Sequence, residues 1–124
     1  MEQELRMTFS IVARDPKTQA LGVAVSTAIP AVGSLVPHVE ADVGAIATQA
    51  HTNLAYGIEG LRLLRKRATP EEALRKMLTR DKEKEKRQVI IIDAHGKTAA
   101  FTGLDTESWK GHQIGKNHLR LVCS

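Results

Sequence analysis

Hydrophobic and polar residues alternate along the beginning of the chain. In residues 8–14 (TFSIVAR) every second position from Phe9 to Ala13 is apolar, which is the period-two pattern of a β-strand. Residues 15–19 (DPKTQ) are typical of a turn, because proline presets φ and the aspartate side chain can bond the following backbone. A second apolar segment begins at residue 20. The first two strands are therefore predicted to form a β-hairpin.

Two segments of the first part of the chain contain no charged residue. Residues 20–27 (ALGVAVST) and 43–50 (VGAIATQA) are rich in small and β-branched residues. This composition is typical of strands covered on both faces, and we expect both segments to be buried on both faces. Between them, residues 28–34 are predicted to form a loop. Residues 34–40 predict a weaker strand, since Pro37 cannot donate to a β-ladder.

The hydrophobic period then changes from two to about 3.6 residues, which predicts two amphipathic helices. The apolar face of the first is predicted to consist of Leu54, Ile58, Leu61 and Leu64. The second begins at residues 69–72 (TPEE), where threonine is a typical N-cap, proline suits the first helical position and the second glutamate completes a capping box. Its buried stripe is predicted to be Ala73, Leu74, Met77 and Leu78.

The last third of the chain returns to strand patterns. Residues 88–93 (QVIIID) are the clearest strand of the sequence, His95-Gly96 predicts a turn, and 97–103 predicts the returning strand. Residues 111–124 are interpreted as extended, although their pattern is ambiguous. The resulting order is four strands, two helices and two or more strands. It predicts an α+β fold with antiparallel pairing, in a single domain over residues 1–124.

Composition and charge exclude several classes of protein. The net charge is +4, and residues 62–87 hold eleven Lys/Arg against five Asp/Glu. Acids and bases interleave there, so we interpret the segment as a solvated surface. With four aromatic residues in 124 there is no stacking platform for nucleic acid. No apolar run approaches the roughly 20 residues of a membrane span. One cysteine, Cys123, and no signal sequence lead us to expect a cytoplasmic protein without nucleic-acid or membrane partners.

Thr8 is the first candidate for chemistry. A threonine hydroxyl becomes a useful nucleophile when its own α-amine is free, since that amine titrates near pH 7.7–8.0 and can accept the hydroxyl proton. Thr8 follows Met7, and removal of an initiator methionine at that position would make Thr8 the first residue. The alternative is a threonine that only begins a strand.

A second candidate is the polar segment 48–53 (TQAHTN), at the predicted junction of a strand and a helix. Side chains and backbone N–H groups at such a junction can stabilise a developing oxyanion, whereas helix capping alone would need only one of them. Ser26, at the end of the second strand, is a further candidate for a pocket wall. The five histidines show no metal-ligand spacing, so neither a metal nor a cofactor is predicted.

Several segments together resemble a known family. MTFSIVARDPKT (7–18), LGVAVST (21–27), AVGSLVPHVEADVGAIATQAHTN (31–53), YGIEGL (56–61), RQVIIIDAHGKTAAFTG (87–103) and GHQIG (111–115) occur in the order and spacing typical of the domain-of-unknown-function family 1028. That family belongs with the N-terminal-nucleophile (Ntn) hydrolases. The resemblance implies an αββα sandwich, in which two antiparallel sheets lie between two layers of helices. In this chain we expect the sandwich to be incomplete.

The resemblance also implies a function. Thr8 would be the catalytic nucleophile of an amide hydrolase, and Ser26, Thr48, Gln49 and Asn53 would contact a small amide substrate. Residues 1–6 would then be a leader, and 118–124 an atypical tail at the point where more sheet and helix should follow. An incomplete sandwich exposes an apolar sheet face, so we expect a homo-oligomer. The alternative is a non-catalytic binding or assembly module with the same fold.

Overall fold

The computed structural model describes residues 7–28, 30–106 and 109–123. Within these ranges four strands, two α-helices and four strands follow one another, in agreement with the predicted order. The strands are β1 (Thr8–Arg14), β2 (Leu21–Thr27), β3 (Pro37–Glu40), β4 (Gly44–Ala50), β5 (Arg87–Asp93), β6 (Thr98–Thr102), β7 (Lys110–Gly115) and β8 (His118–Cys123). The helices are α1 (Ala55–Arg65) and α2 (Pro70–Arg80).

The strands form two four-stranded sheets, and every pair is antiparallel. Sheet A has the order β2-β1-β8-β7, and sheet B has the order β3-β4-β5-β6. Both helices pack on sheet B, and the other face of sheet B packs on sheet A. The α+β prediction with antiparallel sheets is therefore confirmed.

Strand β5 shows why one segment of the sequence is almost continuously apolar. Val89 and Ile91 belong to the core between sheet B and the helices, whereas Ile90 and Ile92 belong to the core between the sheets. All four side chains are fully buried. A strand at the centre of a sheet that is covered on both faces has no solvent-facing position, so alternation disappears.

The local signals at the first turn and at the second helix are confirmed. The side chain of Asp15 accepts a hydrogen bond of 2.8 Å from the backbone N–H of Lys17. Thr69 is the N-cap of α2, and its hydroxyl accepts a hydrogen bond of 3.2 Å from the backbone N–H of Glu72. These signals lie within a few residues of the backbone groups they satisfy, which explains why the sequence alone reveals them.

The prediction that residues 20–27 are buried on both faces is wrong. Strand β2 lies at the edge of sheet A, and its residues alternate between half-buried and exposed. Gly22, Ala24 and Ser26 are on the exposed side. Among the described residues no helix covers that face of sheet A, and Phe9 of β1 is 40% exposed on it. The small, uncharged residues of this segment therefore lie on a sheet face that no described helix covers, and not in a strand that is covered on both faces.

The predicted apolar face of α1 is also wrong in part. Leu64 is buried, but Leu54 and Ile58 are 42% and 64% exposed. The buried face consists of Tyr56, Gly57, Gly60, Leu63 and Leu64. The two glycines face His38 and Ile46, with too little space for a side chain. Close approach of the helix to sheet B therefore decides which face is buried, rather than the positions of the largest apolar residues.

The segment expected to be an atypical tail, 118–124, is ordered as β8 over His118–Cys123. β8 lies inside sheet A, between β1 and β7. Leu119 and Leu121 are buried against sheet B. The prediction that residues 111–124 are extended is confirmed over the described residues, because this segment contains most of β7 and all of β8.

Replacing Gly57 by alanine should test the packing of α1. An added Cβ would overlap the ring of His38, and overpacking of this kind costs about 1–3 kcal/mol. We expect a lower free energy of unfolding in urea, although alanine has a higher helix propensity. Gly22→Ala is the control, because no atom lies within 4 Å of a Cβ at that position. Equal stability of the two variants would contradict the proposed close approach.

Candidate functional site

Thr8 is the first residue of β1 and lies in a row of polar side chains across sheet A. It is directly opposite Thr27 on β2 and Cys123 on β8, and Cys123 is opposite Lys110 on β7. Side chains that are directly opposite in an antiparallel pair lie on the same face. Ser10, two positions further along β1, is fully buried on this face, toward sheet B. The row therefore lies at one end of the interface between the sheets.

The hydroxyl of Thr8 has a defined partner. Its Oγ1 lies 2.9 Å from Oγ1 of Thr27, and either hydroxyl can be the donor. The side-chain amide of Gln49, on sheet B, donates a 3.3 Å hydrogen bond to the backbone carbonyl of Thr8. Thr8 as a whole is half-buried, and its hydroxyl contact with Thr27 is partly buried. The Nζ of Lys110 is bonded elsewhere, to the carbonyl of Leu104.

Two buried glutamines connect this row to sheet B. Nε2 of Gln49 donates to Oε1 of Gln88 at 3.0 Å, and Oε1 of Gln49 accepts a 2.5 Å hydrogen bond from the Ser10 hydroxyl. Nε2 of Gln88 in turn donates to the carbonyl of Val122 on β8 at 3.0 Å. Polar groups in a buried interface are stabilising only when they have partners. These bonds therefore fix the relative position of the two sheets beside Thr8.

The same hydrogen-bonded group extends to the surface through Thr102 and His112. Nε2 of Gln88 lies 3.4 Å from the Thr102 hydroxyl, which lies 2.9 Å from Nδ1 of His112. His112 is exposed on β7. A continuous series of hydrogen bonds therefore joins an exposed imidazole to the glutamine that holds the backbone of Thr8.

The structure brings together two of the five residues that the sequence predicted for the site, Thr8 and Gln49. Ser26 is opposite Phe9 and lies on the exposed face of sheet A, away from sheet B. Thr48 is fully buried and alternates with Gln49, so it faces the helices. Asn53 lies at the start of α1, where its Oδ1 accepts a 3.0 Å hydrogen bond from the backbone N–H of Ala55.

Sequence reasoning missed Ser10, Gln88, Thr102 and His112. Gln88 was available as a signal, since it is a polar residue at the start of an almost continuously apolar strand. Ser10 gave no such signal, because the alternating apolar positions of the first strand run from Phe9 to Ala13, on the opposite face. The partners of those residues are far apart along the chain. Gln49 and Gln88 are 39 residues apart, and Ser10 and Gln49 also 39. No local pattern connects them.

A second buried polar cluster lies on the helix side of sheet B. Nε of Arg87 donates to Oδ2 of Asp81 at 2.9 Å, and the Tyr56 hydroxyl donates to the same oxygen at 2.7 Å. Nη1 of Arg87 also donates to the backbone carbonyl of His51 at 2.7 Å. The Arg87 guanidinium lowers the pKa of Asp81 to about 2. Burial, together with Asp81, raises the pKa of Tyr56 above its usual range. The cluster holds the segment that follows β4 against the end of α2.

Two further features of the described residues concern binding partners. In residues 7–28, 30–106 and 109–123, no group of three or more His, Cys, Asp or Glu side chains is arranged to hold a metal ion. Neither α1 nor α2, nor any other helix in these ranges, has the length and apolar character needed to cross a lipid bilayer.

Comparison with known proteins places this architecture in a family. The chain is similar to the crystal structure of protein SPO2555 from Silicibacter pomeroyi, of family DUF1028, with a TM-score of 0.90 and 33% sequence identity. The match covers 94% of this chain and 52% of that one, so the chain spans about half the length of its relative. No curated protein matches the sequence. The model of the family of unknown function DUF1028 matches residues 8–120, and the chain belongs to this family.

Proposed function

We propose that the protein is an Ntn-type hydrolase of amide bonds in which Thr8 is the nucleophile. The observation that carries the proposal is the position of Thr8: its hydroxyl is paired with Thr27 at 2.9 Å, and its carbonyl is held by Gln49. A nucleophile needs a fixed orientation and access to substrate. The hydrogen bonds of Thr8 support the first requirement, and its partial exposure supports the second. The resemblance of the sequence to this class of enzymes adds support.

In the proposed mechanism the chain is cleaved between Met7 and Thr8, which frees the Thr8 amine. That amine accepts the proton of the Thr8 hydroxyl, and Oγ1 attacks the amide carbonyl carbon. The tetrahedral intermediate collapses as the protonated amine donates its proton to the leaving nitrogen. An ester between Thr8 and the acyl group remains. Water then attacks the ester carbonyl while the same amine takes its proton, and the amine returns that proton to Oγ1 as the carboxylic acid leaves, which restores the free hydroxyl.

Thr27 and Gln49 are assigned positioning roles in this mechanism. The Thr27 hydroxyl restricts the rotamer of Thr8, and Gln49 fixes the backbone from which the Thr8 side chain projects. Both roles act through Thr8. We expect Thr27→Val and Gln49→Leu to lower turnover while Thr8 remains reactive.

Two measurements on the purified protein test the proposal. Intact mass should show a chain that begins at Thr8, and a β-lactone probe should add one acyl group, located on Thr8 by peptide mapping. Turnover of a panel of chromogenic amides should fall by at least about 10³-fold in Thr8→Ala, as for other removed nucleophiles. Thr8→Ser should keep partial activity, since it retains a hydroxyl.

Ser26→Ala is the matched control, because Ser26 also carries a hydroxyl but lies on the opposite face of sheet A. It should retain the activity of the unmodified protein. Turnover by a chain that begins at Met1, or full turnover by Thr8→Ala, would exclude Thr8 as a self-activated nucleophile. Correct processing without any turnover or labelling would favour the non-catalytic binding module.

A further inference from the structure

A cleft between the two helices contains two cationic side chains, and the carboxylates beside them are already paired with arginines that do not line the cleft. The cleft has a volume of about 240 Å³ and lies between α1 and α2, on the helix side of sheet B. Its apolar part is formed by Ala55, Tyr56, Leu63 and Met77. Its charged residues are Glu59, Lys76, Arg80 and Asp81. It thus combines apolar surface with charges of both signs.

Both carboxylates of the cleft already have cationic partners. Glu59 accepts two hydrogen bonds from Arg62, at 2.7 Å to Nε and 2.5 Å to Nη2. Asp81 accepts from Arg87 and from the Tyr56 hydroxyl. The bidentate pair at Glu59 and the buried pair at Asp81 each neutralise the charge of the carboxylate. Neither acid therefore needs the remaining cations of the cleft.

Those remaining cations are Lys76 and Arg80, one turn apart on α2. Within the described parts of the chain, neither side chain forms an ion pair or a hydrogen bond. The pKa of Glu59 is held low by Arg62 first and by the more distant Arg80 to a smaller degree. Asn53, which also lines the cleft, accepts a hydrogen bond at Oδ1 from the backbone N–H of Ala55 and keeps its side-chain NH₂ as a donor. Among the described residues, the cleft therefore has hydrogen-bond donors and positive charges that are not paired with an acceptor or an anion of the chain.

We propose that this cleft binds a small anion, a carboxylate or a phosphate ester, carried on a short apolar group. Lys76 and Arg80 would bind the anionic end, and Leu63 and Met77 would contact the apolar end. The volume is below the roughly 300–1,000 Å³ of pockets for drug-sized ligands, which limits the ligand to a few carbon atoms beyond its charged group. The site lies on the opposite side of sheet B from Thr8, so the proposal does not depend on the proposed hydrolase activity.

Three probes of equal chain length test the charge preference: hexanoate, hexyl phosphate and hexylammonium. Each is titrated into the full-length ¹⁵N-labelled protein while amide chemical shifts are recorded. Hexanoate, hexyl phosphate or both should cause saturable shifts centred on Ala55 and Met77, and hexylammonium should not. A preference between the two anions identifies the headgroup. Saturable binding of hexylammonium with equal affinity, or no saturable shift with any probe, would overturn the proposal.

Substitutions on α2 locate the site. Arg80→Gln and Lys76→Gln should each weaken binding of the preferred anion at least about fivefold, because each removes a charge-assisted contact. Arg75→Gln is the matched control, since Arg75 is exposed on the same helix but does not line the cleft. It should change affinity by less than about twofold. Equal losses of affinity in all three variants would indicate that the anion is attracted to a basic surface in general, and would exclude a defined binding site in the cleft. Helical content measured by circular dichroism verifies that every variant is folded.

Discussion

Replacing Arg87 by methionine should lower the free energy of unfolding by about 3–5 kcal/mol, the range measured when one partner of a buried ion pair is removed. The side chains of Arg87 and Asp81 are only 7% and 11% exposed. The variant leaves the Asp81 carboxylate with Tyr56 as its main side-chain partner and leaves the His51 carbonyl without its donor. Domains of this kind are stable by only about 5–15 kcal/mol, so the loss is a large part of the total. Urea denaturation measures it directly.

The pH dependence of the same variant provides a second readout. In the folded protein the Asp81 pKa is about 2, below the usual value of 3.8. A carboxyl with a lowered folded-state pKa contributes its full stabilisation above pH 3.8 and loses it as the pH falls toward 2. Stability should therefore fall between pH 4 and pH 2 in the unmodified protein, and this part of the fall should shrink in Arg87→Met.

Arg75→Met is the control for Arg87→Met, because it removes the same charge from an exposed position on α2. Surface substitutions of this kind usually change stability by less than about 0.5 kcal/mol. An equally small effect of Arg87→Met, with an unchanged acid profile, would show that the cluster of Tyr56, Asp81 and Arg87 does not hold the fold together.

Replacing Gln88 by leucine should destabilise the protein by about 2–4 kcal/mol. The substitution removes the acceptor of the Gln49 amide and the donor to the Val122 carbonyl. Each buried group left without a partner costs about 1–3 kcal/mol. The Gln49 side chain keeps its bonds to Ser10 and to the Thr8 carbonyl but loses its bond to Gln88, so it holds Thr8 less firmly and any activity that depends on Thr8 should fall as well. Thermal unfolding and turnover are measured on the same preparation.

A double substitution distinguishes the loss of partners from the loss of packing. In Gln49→Leu with Gln88→Leu both members of the pair become apolar, and fewer polar groups remain unsatisfied. We expect the double variant to be less destabilised than the sum of the single variants. Gln113→Leu is the control: Gln113 is exposed on β7 and accepts a hydrogen bond from Arg120 at the surface, so its replacement should cost about 1 kcal/mol or less. Simple additivity of the two single effects would contradict a direct interaction between Gln49 and Gln88.

Local patterns were sufficient for most of the secondary structure. The alternation in residues 8–14 is visible within seven residues, and the Asp15 and Thr69 side chains bond backbone groups two and three residues away, so the information is contained in short segments. The same reasoning failed for the burial of β2 and α1. Whether a face is covered depends on elements distant in sequence, and the close approach of α1 depends on His38, which lies on β3.

The candidate site shows the same difference between features that local patterns predict and features that depend on distant parts of the chain. Thr8 and Gln49 were found from residue type and local position, but Thr48 and Gln49 are neighbours on one strand and their side chains point to opposite faces of sheet B. Predicting the strand does not predict which of its two faces lies against Thr8. Gln88 and Ser10 could not be assigned to the site until the two sheets were packed together.

By itself the sequence determined the order of the first six strands and both helices, the turns and caps, the antiparallel α+β class and the candidate nucleophile, because residue alternation, turn chemistry and capping bonds are local properties. Only the tertiary structure decided that β8 pairs with β1, which sheet face is uncovered, and that Gln49 and Gln88 meet between the sheets beside Thr8. Those features depend on which distant surfaces exclude water from each other, and no short segment of the chain contains both surfaces.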